Sequence, residues 1–140
     1  PLPLVYQTPE ERFQIALSKA GISIDQPVAT VPEVSREDLQ ARMRSGELLL
    51  LDARLSKFYE AGHLPGAYPL SQKNFVADLE RLRTKLNDPK VKTLVVYCSG
   101  EDCADSRLVA GALTRIGFQS VSILKGGIAE WKKAGLPTEK

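Results

Sequence analysis

Thr93-Leu94-Val95-Val96-Tyr97-Cys98-Ser99-Gly100 is the stretch on which the fold turns. Its first five residues are rich in β-formers and predict a strand. The thiol of Cys98 stands at the exit of that strand. The loop Ser99-Gly100-Glu101-Asp102-Cys103 follows. A helix then begins near Ala104, with Leu108, Val109, Ala112, Leu113 and Ile116 on one face and Gly117 as its stop. A strand that feeds a helix through a short loop is the repeating unit of a parallel sheet.

The unit recurs on both sides. Upstream, Ser35 is placed to cap a helix that carries Leu39 and Met43, with Asp38 in the capping-box position and Gly46 at the end. Leu48-Leu49-Leu50-Leu51-Asp52 is a short apolar run that suits a strand covered on both faces. Ser56 is expected to cap one helical turn through Glu60, and residues 62–67 read as a turn. Tyr68-Pro69-Leu70 is a poor strand, because proline cannot donate to a ladder. A helix is expected from Gln72 to Leu86, since Phe75, Leu79, Leu82 and Leu86 keep helical spacing. Downstream, Val121-Ser122-Ile123-Leu124 is a strand, and Gly126-Gly127 turn the chain into a last helix with Ile128 and Trp131 on its core face. This order predicts an α/β protein with helices on both faces of a parallel sheet.

At the amino end, Thr8-Pro9-Glu10-Glu11 has the pattern of a helix start, and Phe13, Ala16, Leu17 and Ala20 continue it as an apolar stripe. Residues 22–33, with Pro27 and Pro32, read as an extended connector. The expected organisation is a helical extension and connector over 1–33 and a main domain over 34–140. The chain opens on Pro1 rather than Met, as a processed or cut product does, which leaves an upstream signal or tether open.

The chain has 140 residues, 43% of them hydrophobic and 26% charged, which is the composition of a globular domain and excludes disordered or collagen-like chains. A formal net charge of +2 gives no reason to expect a nucleic-acid partner. No apolar run is long enough to predict a membrane span. With two cysteines, Cys98 and Cys103, and one histidine, His63, neither a disulfide framework nor a zinc site is expected.

Ligands of open α/β sheets bind beyond the carboxyl ends of the strands, where Cys98 stands. Loop N–H groups can converge on its sulfur, and the positive end of the following helix favours thiolate. That makes a nucleophile at neutral pH. The competing reading is a buried core cysteine, which is common for this residue type. The strand-exit position and the nearby glycine favour chemistry. Asp52 and Arg54, at another strand end, are expected to pair and to shape the rim of the site.

From Ser35 to Pro137, about three quarters of the chain, the sequence resembles a rhodanese-like domain. Four segments carry the resemblance: Leu51-Asp52-Ala53-Arg54 with residues 59–67; Val95-Val96-Tyr97-Cys98; the helix of Ser106 with its Gly117-Phe118 end; and residues 124–131, from Leu124 to Trp131. The resemblance implies about five parallel strands in a doubly wound sheet. It implies that Cys98 accepts a sulfane sulfur from a donor such as thiosulfate or a persulfide, and passes it to a thiophilic acceptor. It places Ser99, Gly100, Glu101, Asp102, Cys103 and Ala104 around the sulfur as a cradle, with Ser106 as a hydroxyl donor. It implies no metal or organic cofactor. The partners it implies are a small sulfur-containing donor and a thiol acceptor, protein-borne ones included. His63 falls in the Gly-His-Leu-Pro-Gly-Ala turn, which implies a structural role.

The chain also departs from the family pattern. Ser106 lies eight residues after Cys98, so the loop is two residues longer than usual, and Cys103 stands where an arginine is expected. Glu101, Asp102 and Asp105 oppose both a thiolate and a dianionic donor. Arg107 is the nearest cation in sequence and another candidate for the rim. A protein-bound persulfide, a neutral polysulfide or another thiol is therefore expected to suit the loop better than thiosulfate. Related phosphatases clamp phosphoryl oxygens with an arginine six residues after the cysteine. Ala104 holds that position, so phosphatase activity is not expected. Two other readings stand beside sulfur transfer. One is a thiol–disulfide redox protein that uses Cys98 and Cys103, where Cys103 closes a disulfide or attacks a persulfide or sulfenate on Cys98. The other is a catalytically weak rhodanese-like module used for binding or regulation.

Overall fold

The computed structural model describes residues 31–100 and 103–140. The helix expected over 9–20 and the connector up to residue 30 lie outside the described residues, as do Glu101 and Asp102 of the loop.

Five strands, β1 (Glu33–Val34), β2 (Leu48–Asp52), β3 (Tyr68–Pro69), β4 (Thr93–Tyr97) and β5 (Val121–Leu124), form one parallel sheet in the order β1-β5-β4-β2-β3. The described helices are α1 (Arg36–Ser45), α2 (Ser56–Ala61), α3 (Phe75–Arg81), α4 (Arg83–Leu86), α5 (Asp105–Ile116) and α6 (Gly127–Lys133). β4 is central, with Leu50 of β2 opposite Val95 and Ile123 of β5 opposite Val96.

The period of two along a strand sends successive side chains to opposite faces. Leu49, Leu51, Leu94, Val96, Val121 and Ile123 pack on one face with Phe75, Leu82 and Leu86 and with Val109 and Leu113 of α5. Leu50, Val95, Tyr97 and Leu124 pack on the other with Leu39 of α1, Leu64, and Ile128 and Trp131 of α6. This double cover explains the unbroken apolar run in β2. It is the predicted α/β architecture, and it leaves the carboxyl ends of the strands as the edge where loops gather.

Local chemistry sets the boundaries. Ser35 accepts the Asp38 N–H at 3.1 Å and starts α1, as its position predicts. Ser56 is the first helical residue of α2 rather than its cap, because Leu55 occupies the cap position. The helix expected from Gln72 begins only at Phe75. The Ser71 hydroxyl accepts the Asn74 N–H at 3.1 Å, and the buried Asp78 carboxylate accepts the Ser71 N–H at 3.1 Å and pairs with Arg81. These bonds hold residues 71–74 in a bend. The same stretch breaks again at Leu82, which separates α3 from α4. The short strand β1 falls at the end of the expected connector. Two residues against β5 carry no periodic signal, and pairing alone makes them a strand.

Candidate active site at the carboxyl end of β4

Cys98 follows the last residue of β4 and is buried, at 2% exposure. Its carbonyl accepts the Ile128 N–H at 2.9 Å, and the Ser99 carbonyl accepts the Ala129 N–H at 3.0 Å. The first turn of α6 therefore grips the backbone of the cysteine loop. Gly127 makes this possible. A Cβ there would lie 2.3 Å from the Cys98 carbonyl oxygen, and its φ of +57° is left-handed. Gly126-Gly127 is legible in the sequence as a turn into a helix. Its role against Cys98 is not, because the two segments are far apart in the chain.

The structure joins Cys98 and Cys103 in a disulfide, with Cα atoms 6.2 Å apart. Bridged cysteines need Cα atoms within roughly 7 Å, and the loop meets that condition. The turn is closed by the Cys103 N–H, which donates to the Gly100 carbonyl at 3.3 Å. The Cys103 N–H is thus used within the loop. Ser99 and Ala104 are exposed, and Gly100 and Cys103 are half-buried. The hydroxyl beside the Cys98 sulfur belongs to Ser99, with Oγ 3.9 Å from Sγ. Ser106, expected as the hydroxyl donor, is buried in the first turn of α5.

Asp105, which the sequence offered only as an opposing charge, reaches the second sulfur. Its Oδ2 lies 3.8 Å from Cys103 Sγ, and burial raises its pKa above the ordinary value. Cys98, Cys103 and Asp105 present ligand atoms within 4.8 Å of one another. Only the reduced thiolates could serve such a trio as metal ligands, and the disulfide form offers none.

Asp52 and Arg54 do pair, but under the surface rather than on an exposed rim. Asp52 is fully buried and Arg54 nearly so. Arg54 Nη2 donates to Asp52 Oδ2 and to the Gly62 carbonyl, each at 2.7 Å. The Tyr97 hydroxyl donates to Asp52 Oδ2 at 2.7 Å and accepts the Leu64 N–H at 3.1 Å. Burial and the neighbouring Asp52 charge push the Tyr97 hydroxyl well above its ordinary pKa. Burial alone acts to lower the pKa of Arg54, and the bonds to Asp52 outweigh it, so the net shift is upward. This network ties the ends of β2 and β4 to the turn at residues 62–64. It fixes the strand end from which Cys98 emerges. Arg107 is exposed on the first turn of α5.

His63 stacks on Tyr59 with ring centroids 3.9 Å apart, and its Nδ1 lies 2.9 Å from the Tyr59 carbonyl. Its backbone exchanges two bonds of 2.8 Å with Glu139. It clamps the turn to the end of the chain, which is a structural role.

A parallel α/β sheet with a cysteine at the exit of its central strand and a helix directly after the loop defines a class of cysteine-site domains. Comparison places the chain within it. The sequence profile described as Rhodanese-like domain matches residues 35–134, and the chain belongs to that family. It is 32% identical over 126 residues to a Synechococcus elongatus protein named "Putative thiosulfate sulfurtransferase", covering 80% of this chain and 39% of the relative. It is 31% identical over 99 residues to a tRNA uridine(34) hydroxylase of Wigglesworthia glossinidia brevipalpis, covering 71% of this chain and 31% of the relative. The chain thus spans less than half the length of these relatives. Among solved structures, the rhodanese-like domain of an Anabaena sp. protein superposes with a TM-score of 0.61 at 32% identity, covering 77% of this chain and 78% of that one. A Bacillus halodurans protein superposes with a TM-score of 0.64 at 24% identity, over 94% of this chain and 86% of that one, and shows the shared fold.

Proposed function

We propose that this domain is a sulfurtransferase. Cys98 accepts a sulfane sulfur from a donor, holds it as a persulfide and yields it to a thiophilic acceptor. The observation that carries the reading is the place of Cys98, at the carboxyl end of the central strand and just before α5. The positive end of a helix favours a thiolate, and the same field favours the anionic persulfide. Burial keeps water away from the reacting sulfur. Asp105 stands close to the paired sulfur, and a carboxylate there disfavours a dianionic donor. A low-molecular-weight persulfide, a polysulfide or a protein-borne persulfide is the better donor, and a thiol is the acceptor.

The test is an intact mass spectrum of the reduced chain and of its Cys103→Ser and Cys98→Ser variants after exposure to thiosulfate and, separately, to glutathione persulfide. The expected result is a gain of one sulfur in Cys103→Ser that a reductant reverses and that Cys98→Ser lacks. An equal gain in Cys98→Ser would remove Cys98 from its role.

A further inference from the structure

We infer that Cys103 is the resolving cysteine of this site, a thiol that attacks the Cys98 persulfide, closes the Cys98–Cys103 disulfide and expels the outer sulfur as hydrosulfide. The inference rests on the sulfurtransferase reading of Cys98 and specifies where the sulfur goes. The disulfide shows that the loop brings the two sulfurs into bonding distance, and the bond from the Cys103 N–H to the Gly100 carbonyl holds that curl. An attacking thiol tethered at this distance acts at a high effective concentration, so it outcompetes a dissolved thiol.

The atoms balance. The Cys103 sulfur bonds to Cys98 Sγ, the bond between Cys98 Sγ and the outer sulfur breaks, and that electron pair leaves with the outer sulfur as hydrosulfide. The two cysteine sulfurs are oxidised to the disulfide, and the sulfane sulfur is reduced. The thiol proton of Cys103 passes to the Asp105 carboxylate 3.8 Å away. Turnover then needs a dithiol reductant. Cys98 is buried and Cys103 is half-buried, so the dithiol reaches the Cys103 sulfur and expels Cys98 as the leaving thiolate. A thiolate stabilised by a helix start leaves readily. The site is restored with its nucleophile free.

The experiment uses the full chain, reduced with a dithiol and desalted, then given one equivalent of glutathione persulfide. Free sulfide is trapped and intact mass is read on the same samples. The expected result is close to one equivalent of sulfide from the wild type, together with a mass lower than the reduced chain by two hydrogens. Cys103→Ser and Cys103→Ala are expected to hold the added sulfur and to release sulfide at least about tenfold more slowly, as loss of a tethered reactant implies. Circular dichroism of both variants checks that they are folded. Sulfur held equally long by the wild type and the variants would refute the resolving role and leave the sulfurtransferase reading intact. No sulfur gain in Cys103→Ser or Cys103→Ala, or a full gain in Cys98→Ser, would overturn the sulfurtransferase reading and the resolving step with it.

Discussion

Gly127→Ala should cost more than any other exchange of a left-handed glycine for alanine in the described chain. The new Cβ would lie 2.3 Å from the Cys98 carbonyl oxygen, 2.9 Å from the Gly100 nitrogen and 3.0 Å from the Cys98 carbonyl carbon. All three are backbone atoms, so no side-chain rotation relieves the overlap. The φ of +57° adds a left-handed cost of roughly 1–2 kcal/mol for a residue with a Cβ. Crowding of a packed site adds about 1–3 kcal/mol. The total is about 2–5 kcal/mol. Gly46→Ala is the matched control, since its φ is +74° and nothing lies within 4 Å of the added Cβ. It bears the conformational cost alone, roughly 1–2 kcal/mol. Urea unfolding of the wild type and both variants measures the two costs, read from midpoints at a common slope. Gly127→Ala should also slow the sulfur uptake proposed for Cys98, because α6 can no longer hold the cysteine loop at its observed distance. If Gly127→Ala costs no more than Gly46→Ala and loads sulfur at the wild-type rate, the close approach of α6 to Cys98 is not what positions the site.

Tyr97→Phe removes the hydroxyl bonded to Asp52 and strands the buried Leu64 N–H, a loss of about 1–3 kcal/mol in the same urea assay. The Tyr97 pKa is raised on folding, so the unfolded chain loses this proton first. Stability from this group is present below the ordinary tyrosine pKa of 10.0 and falls as pH rises above it. A base titration should show that fall in the wild type and a shallower one in Tyr97→Phe, and equal slopes would refute the assignment. Asp52→Ala leaves the Arg54 guanidinium buried without its carboxylate and should cost about 3–5 kcal/mol, with a thermal melt as the check. Leu39→Ala empties the only fully buried position of α1 and should cost about 2–5 kcal/mol by urea unfolding; a loss under 1 kcal/mol would mean that α1 does not seal its face of the sheet.

Much of the domain is legible in the residues. Strands β2, β4 and β5 are mostly apolar because both faces of the sheet are covered, and such runs stand out against the amphipathic helices between them. The strand–loop–helix unit around Cys98 needs no partner to be read, since propensity, the thiol and the helix pattern are all local. Elements that owe their form to distant partners are not legible. Strand β1 exists because Glu33 and Val34 pair with β5. The late start of α3 comes from the bonds among Ser71, Asn74, Asp78 and Arg81, and apolar spacing cannot report them.

Hydrophobic period and loop chemistry are properties of neighbouring residues, so the parallel α/β class and the place of Cys98 at a strand exit can be read from the residues alone. What surrounds that sulfur is set by the folded chain. It closed the loop so that Cys103 bonds to Cys98, and it sank Asp52 and Arg54 beneath the turn at residues 62–64. It also set Gly127 against the Cys98 carbonyl. Each of these depends on distances between atoms of separate segments or on the path of a loop, and residue spacing along a chain does not encode such distances.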